Sequence, residues 1–438
     1  MTVEKAHIDS EAKEQTCPQC HSVIPAIAGQ RIWCDKCGWN LEVPASPLPR
    51  GLLEKLYDSL SKKSSQHLFE QMIRGGSLKA SLTPAKLVAF LLAGLVHSVT
   101  LAFIILGIWL CLFAFPTVRA FGVLLGLACL VAVWLLLIPS SSKVKAFPLP
   151  RERYPALYRI ADQIAQALGS PPVDTIMYDV HFNASFGQFG WKRKRRLILG
   201  LPLFATLQGQ EIVALLGHEL AHGVNGDPNR GFFLGTALYS LASWYELIAP
   251  QRRWDAETGS ATLAFSFFNL IALPLVGLIW LAGYALSHLL WYDSQRAEYL
   301  ADLLGAQVSG TNAQLATLDK SHLRETFETI LKFAYIDRKG QNFFQDLRQR
   351  INRVSPREIA RIRWIEKLTL ARIDVTHPPT AHRVEFLRAH PVSEARVTLS
   401  SDDLAQLERE LEPLLRAVEK RIFELDEMSF REVFRLSW

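Results

Sequence analysis

His218-Glu219-Leu220-Ala221-His222 stands inside an apolar run, and its residue types and spacing suit metal chemistry. On an α-helix, positions i and i+4 project from one face, so the two imidazoles can hold a single Zn²⁺. Glu219 follows the first histidine, where its carboxylate can take a proton from metal-activated water. The pentapeptide alone leaves a second reading open, a buried helix with two satisfied histidines. A second donor set precedes it. Cys17-Pro18-Gln19-Cys20 and Cys34-Asp35-Lys36-Cys37 supply four thiolates at the spacing of one tetrahedral zinc, and Gly38 provides the turn after the second pair. No βαβ pattern surrounds these cysteines, which disfavours a redox role. So small a module has no core of its own, so the metal would provide most of its folding energy.

These residues need elements to hold them. The spacing predicts a helix from about Gln210 to Asn225, with Ile212, Leu215, Leu216, Leu220 and Val224 facing a core and Gly226 as a stop. Upstream, Tyr154 to Leu168 reads as a helix, and Thr175–Tyr178 and Arg196–Gly200 read as strands. His181 to Gly187 lies between them, and the basic run Lys192–Arg196 reads as a solvated hairpin turn. Downstream, Trp291 to Asp302 reads as a helix with Glu298 and Asp302 on one face; Asp293 is a further acidic candidate for a third ligand. Beyond Gly310 the chain is helical and charged. Thr376-His377-Pro378-Pro379-Thr380 interrupts it, with Thr380 expected to cap a helix from His382 to Leu387. A final helix is expected from Ser401, with Leu404, Leu407, Leu411, Leu415 and Val418 inward.

Composition places this machinery at a membrane. Of 438 residues 49% are hydrophobic, and they are clustered. Residues 87–115 and 120–138 are charge-free apolar runs longer than the ~18 residues that mark a span, so a helical hairpin is expected. Residues 231–249 and 262–290 suggest a second hairpin, with Arg252 to Glu257 at its far turn and Glu246 close to that interface. Arg74, Lys79 and Lys86 precede the first hairpin, and Lys143, Lys145, Arg151 and Arg153 follow it, whereas its connecting loop holds only Arg119. The positive-inside rule then puts both ends in the cytoplasm, where unpaired cysteines stay reduced. The first 30 residues have no apolar stretch, so no cleavable signal peptide is expected. The net charge of +6 sits beside apolar segments, and the ribbon has only Arg31 and Lys36 as basic residues, so nucleic acid is not an expected partner.

Taken together, the His-Glu-x-x-His helix with Asn225 and Asp227 after it, Glu298-x-x-x-Asp302, and His377-Pro378-Pro379 with Arg383 resemble the membrane-bound zinc metallopeptidases of the HtpX heat-shock protease and CAAX prenyl protease family. Asn183-Ala184 resembles that family's element ahead of the metal helix. The resemblance covers roughly residues 85 to 390; the ribbon and the long tail are additions. It implies a mainly α membrane protein: a gluzincin-type protease domain with a small β-sheet, four transmembrane helices and an N-terminal zinc ribbon. The expected parts are the ribbon (1–43), a linker stiffened by Pro44, Pro47 and Pro49 (44–85), a first hairpin (86–139), the first protease segment (140–228), a second hairpin (229–290), the second protease segment (291–390) and a helical tail (391–438). The resemblance also implies a catalytic Zn²⁺ on His218, His222 and Glu298, with Glu219 as general base. Asp302 would orient a histidine ligand, His377 and Arg383 would meet the developing oxyanion, and Asn183-Ala184 would pair with substrate. A second, structural Zn²⁺ would sit on Cys17, Cys20, Cys34 and Cys37. Expected partners are polypeptide substrates, the lipid bilayer and a protein recruited by the ribbon, with both soluble parts facing the cytoplasm of a bacterial inner membrane. A catalytically silent scaffold and a CAAX-type prenyl protease are the alternatives, the latter disfavoured by having only four spans.

Overall fold

The computed structural model describes residues 13–26, 31–42, 52–75, 84–113, 119–137, 146–189, 194–224, 227–248, 263–337, 342–369, 377–425 and 427–434. Pro44, Pro47 and Pro49, the tip of the basic turn at Lys192 and Arg193, Asn225, Gly226, the far turn Arg252–Glu257 and Thr376 lie outside them. The chain is mostly helical, with small sheets, and divides into two compact units. One comprises Met1–Gly76, Ala146–Ala221 and Glu298–Trp438; the other comprises Ser77–Lys145 and His222–Ala297.

The first unit begins with a two-stranded antiparallel ribbon, β1 (Lys13–Thr16) and β2 (Val23–Ala26), and helix α1 (Leu52–Ile73). Its sheet contains β3 (Phe147–Leu149), β4 (Thr175–Asp179), β5 (Ala184–Phe189) and β6 (Lys194–Gly200) in the order β3-β4-β6-β5. Only β4 and β6 run parallel, and β5 is an edge strand that starts with Ala184 opposite Leu199. Helix α4 (Pro155–Ala167) puts Leu157, Ile160 and Ile164 into the core beneath the sheet. The short α5 (Leu201–Thr206) leads into the metal-motif helix, α6 (Gln210–Val224). In α6, Val213, Leu216 and Leu220 recur at helical spacing and face the same core.

In the second unit, α2 (Pro84–Phe113) and α3 (Arg119–Leu137) pack as a hairpin. They cross closely because a Cβ on Gly126 would lie 2.6 Å from the Gly107 carbonyl oxygen. Helix α7 (Asp227–Ile248) sets Leu234, Ala237 and Leu241 against Ala89, Ala93 and Val96 of α2. Helix α8 (Leu263–Ser309) contributes Ile279 and Leu286 to that cluster and carries Pro274 inside it. Leu91, Leu95, Phe113, Phe121, Trp134, Leu278 and Trp280 are exposed, more apolar surface than water favours. Among the described residues, Lys86–Phe113 and Ala272–Ser309 are the helices long and apolar enough to cross a membrane. The described part of α3 offers a shorter apolar stretch, Arg119–Val131, and α7 is not among the helices that meet that measure, so two of the four expected spans are found.

The rest of the first unit is helical: α9 (Thr311–Ser321), α10 (Arg324–Ile336), α11 (Phe343–Asn352), α12 (Pro356–Thr369), α13 (Thr380–Ala389), α14 (Ser401–Phe423) and α15 (Glu427–Phe434). Thr380 departs from expectation. Pro379 occupies the cap position of α13, Thr380 is the first helical residue, and its hydroxyl donates to Glu366. The tail belongs to the core. Ser400 and Asp403 form a capping box, while Leu407, Leu411 and Val418 are buried. Its Glu410 accepts from the Ala156 and Leu157 amides at 2.7 and 3.2 Å, completing the N-terminus of α4. Glu419 does the same for α11, accepting from Asn342 N at 2.6 Å.

Candidate metal centre

The centre depends on how closely α8 approaches α6. A Cβ on Gly217 would lie 2.4 Å from Val308 Cγ2, and one on Gly305 would lie 2.6 Å from Gln314 Oε1. Glycine at both positions lets the acidic face of α8 reach the histidine beside Gly217. His218 and Glu219 on α6 are buried, as are Glu298 and Asp302 one turn apart on α8. His222 is one turn beyond His218 on the same helix and half-buried. His218, His222 and Glu298 each offer one ligand atom, and these atoms lie within 4.8 Å of one another. Two ligands at ~2.0–2.2 Å from a tetrahedral ion stand about 3.4 Å apart; His218 Nε2 and Glu298 Oε2 are separated by 3.6 Å. The donor set and the spacing fit a divalent metal.

Behind the ligands lies a polar layer that is wholly buried. Asp302 Oδ1 is 3.1 Å from His218 Nδ1, the ring nitrogen facing away from Glu298. Arg383 of α13 donates to Asp302 through Nε and Nη2, both at 2.7 Å, and Gln314 Nε2 donates to the same carboxylate at 3.2 Å. Burial disfavours the Asp302 charge, but the Arg383 guanidinium and the His218 contact outweigh it and hold the carboxyl below the usual range. Burial likewise opposes the charge on Arg383, yet Asp302 and Glu298 raise its pKa further. Arg383 Nη2 also lies 3.5 Å from Glu298 Oε2. The guanidinium fork is therefore engaged by Asp302, with 5% of its side chain exposed. His377 differs: its side chain is 54% exposed, with Nδ1 2.9 Å from Glu298 Oε2. Asn183, which is exposed, and Ala184 stand at the start of β5 and enter none of these hydrogen bonds or ion pairs.

Neither Gln314 nor the Gly217–Gly305 approach follows from a motif in the sequence. His382 is a titrating group that no motif marks. It stacks on Phe69 of α1 at 4.2 Å, and Nδ1 has no hydrogen-bond partner. Burial, with the Lys367 charge adding to it, lowers its pKa from the ordinary 6.5 to about 4. Between those values the unfolded chain binds the extra proton, so stability falls as pH is lowered through this window, by about 3 kcal/mol in all. His382→Phe should flatten the loss of thermal midpoint between pH 7 and pH 4.5; an unchanged slope would assign the acid sensitivity elsewhere.

At the N-terminus the four cysteines converge. Cys17 and Cys37 sulfurs are 3.6 Å apart, and Cys20 and Cys34 sulfurs 3.5 Å. Thiolates ~2.3 Å from one tetrahedral ion stand about 3.8 Å apart, so this cluster fits a metal as well. Gly38 turns the chain after the second pair with φ +72°.

Two histidines one turn apart on a helix, completed by a carboxylate from a second helix, define a metallopeptidase-type centre. The chain belongs to peptidase family M48, whose sequence model matches residues 152–397, more than half of its length. A protease HtpX homolog of Pyrobaculum calidifontis is 25% identical over 320 residues, 69% of this chain and 88% of the relative. Protease HtpX of Pseudomonas fluorescens is 21% identical over 263 residues, covering 59% of this chain and 79% of its own length. A protease HtpX homolog of Desulforapulum autotrophicum shares 27% over 186 residues, covering 42% and 53% respectively. The chain is an HtpX-like metallopeptidase of that family.

Proposed function

We propose that this protein is a membrane-anchored zinc endopeptidase that hydrolyses peptide bonds of misfolded or membrane-associated proteins. The convergence of His218, His222 and Glu298 beside Glu219 carries this reading. A zinc ion held there supplies Lewis-acid polarisation of the scissile carbonyl and activation of water. Glu219 takes the proton of the attacking water and delivers it to the leaving amine. His377, exposed beside Glu298, stabilises the oxyanion that develops on the carbonyl. Asp302 fixes the ring of His218, and Arg383 fixes Asp302, so Arg383 acts as a positioning residue. The unpaired side of β5, from Asn183-Ala184 onward, suits an extended peptide added as a further strand. The cysteine ribbon holds the second zinc.

The test is casein degradation by the full-length protein purified in detergent. Chelation should abolish it and added Zn²⁺ restore it; degradation indifferent to the chelator would exclude a metallopeptidase.

Four spans, with ribbon and protease facing the cytoplasm of a bacterial inner membrane, are part of the same proposal. The flanking Arg and Lys residues of the first hairpin support it. Asp255→Cys should label from outside intact cells if α7 and the apolar part of α8 both cross. Labelling only after permeabilisation would reduce the architecture to two spans.

A further inference from the structure

We infer that the cysteine ribbon is a positioning element for the reaction, acting on the active site through α12 and the start of α13. This inference rests on the proteolytic reading above for its kinetic arm only.

The ribbon is seated on α12 by an interlocking set of contacts. Trp33, next to Cys34, is 2% exposed. Arg357 donates through Nη2 to the Trp33 carbonyl at 2.5 Å and lays its guanidinium 4.9 Å from the indole ring. Trp364 meets the same indole edge-on at 5.9 Å, and Arg361 donates through Nη1 to the Leu41 carbonyl at 3.2 Å. Residues 357, 361 and 364 are spaced i, i+4 and i+7, so one face of α12 is given over to the ribbon.

The rest of α12 is held by Ile362, which packs against the core, and by Arg363, which donates through Nε to Asp319 of α9 at 2.8 Å. No described side chain in it is fully buried, unlike the core-facing helices around it. A further anchor is polar. Glu366 accepts from the Thr380 hydroxyl and lies 2.7 Å from His322 Nδ1. Burial disfavours the Glu366 charge, but His322 and Thr380 reverse that and hold the carboxyl below its usual range. Thr380 is the first residue of α13, which packs on α12. His377 precedes it by three residues and Arg383 follows it by three. The start of α13 therefore cannot shift without moving the imidazole beside Glu298 and the guanidinium holding Asp302. A four-cysteine module folds only around its metal, so the seat of Trp33 on α12 depends on that ion being bound.

The coupling is tested on the full-length protein in detergent with Arg357→Ala, Thr380→Val, their double variant, and Thr380→Ser as the conservative control. Metal content should stay at two equivalents in all four. With labelled casein, kcat should fall on the order of 2- to 30-fold in each of the first two while KM changes little. Thr380→Ser should restore kcat, because it keeps the hydroxyl for Glu366. The double variant should be no slower than the slower single, since both cut one chain of contacts; independent effects would multiply. Cys34→Ser should lose one metal equivalent and match Arg357→Ala in rate. Amide exchange over residues 377–389 should quicken in Arg357→Ala. Multiplying effects, or wild-type kcat and exchange in Arg357→Ala, would overturn the inference. Were the wild-type protein itself to show no metal-dependent proteolysis, the proteolytic reading would fail alone. The exchange measurement would still decide whether the ribbon braces α13.

Discussion

Glu219→Gln is expected to keep both metal ions and to lose at least ~10²-fold in casein hydrolysis, the usual scale for removing a general base. The amide is nearly isosteric with the carboxylate, and Glu219 is buried on a helix whose other residues make the core contacts. The neutral side chain should therefore fold in place but cannot accept a proton from water. Glu298→Ala should behave differently. It removes a donor oxygen from the metal centre, so metal content should fall from two equivalents to one as activity disappears, the ribbon ion remaining. Atomic emission on both variants separates the two roles. Near-wild-type hydrolysis by Glu219→Gln would remove it as the base, and two retained equivalents in Glu298→Ala would remove Glu298 from the ligand set.

What could be read from the sequence was what local spacing controls. The metal-motif helix, expected over about 210–225, spans Gln210–Val224, and the tail helix starts at Ser401 as its acidic first turn implied. The ribbon cysteines were legible because two Cys-x-x-Cys pairs carry their geometry with them. What stayed hidden depends on residues far apart in the chain. Asp302 and Arg383 are 81 positions apart, and nothing near either marks the other as its partner. The family resemblance points the arginine at the oxyanion, and its contact with Asp302 is not legible in the sequence. Arg357 and Trp33 are 324 positions apart, and no motif pairs them. Thr380 is expected as a cap because capping is a local rule; Pro379 holds that position, and the Thr380 hydroxyl reaches Glu366, a contact between helices that no local pattern marks. The tail read as an addition, since no pattern in it announced that Glu410 and Glu419 finish other helices.

Removing either partner of the buried Asp302–Arg383 pair should cost roughly 3–5 kcal/mol of stability, because each leaves an uncompensated charge in the interior. Their side chains are 0% and 5% exposed, so water cannot take over from the missing partner. Asp302→Ala strands the guanidinium with only Glu298 nearby, at 3.5 Å, and Arg383→Met leaves a carboxylate holding only His218 and Gln314. The carboxylate is held below its usual pKa by Arg383, so its contribution is present at neutral pH and is lost as pH falls through the folded value. Arg383→Met should therefore lose more of its thermal midpoint at pH 7 than under strongly acid conditions, where the wild-type pair is already broken. The double variant Asp302→Leu, Arg383→Met should recover much of the midpoint, since apolar side chains of similar volume carry no desolvation penalty. Activity should not recover with it. His218 would still lack the carboxylate on Nδ1 that fixes its ring, a loss on the order of 10- to 100-fold in metal affinity or rate. Thermal unfolding and casein hydrolysis on the three variants test both halves. A double variant no more stable than the singles would mean that the pair stabilises the fold on balance. One that regained wild-type hydrolysis would mean that Asp302 serves Arg383 alone and does nothing for the histidine.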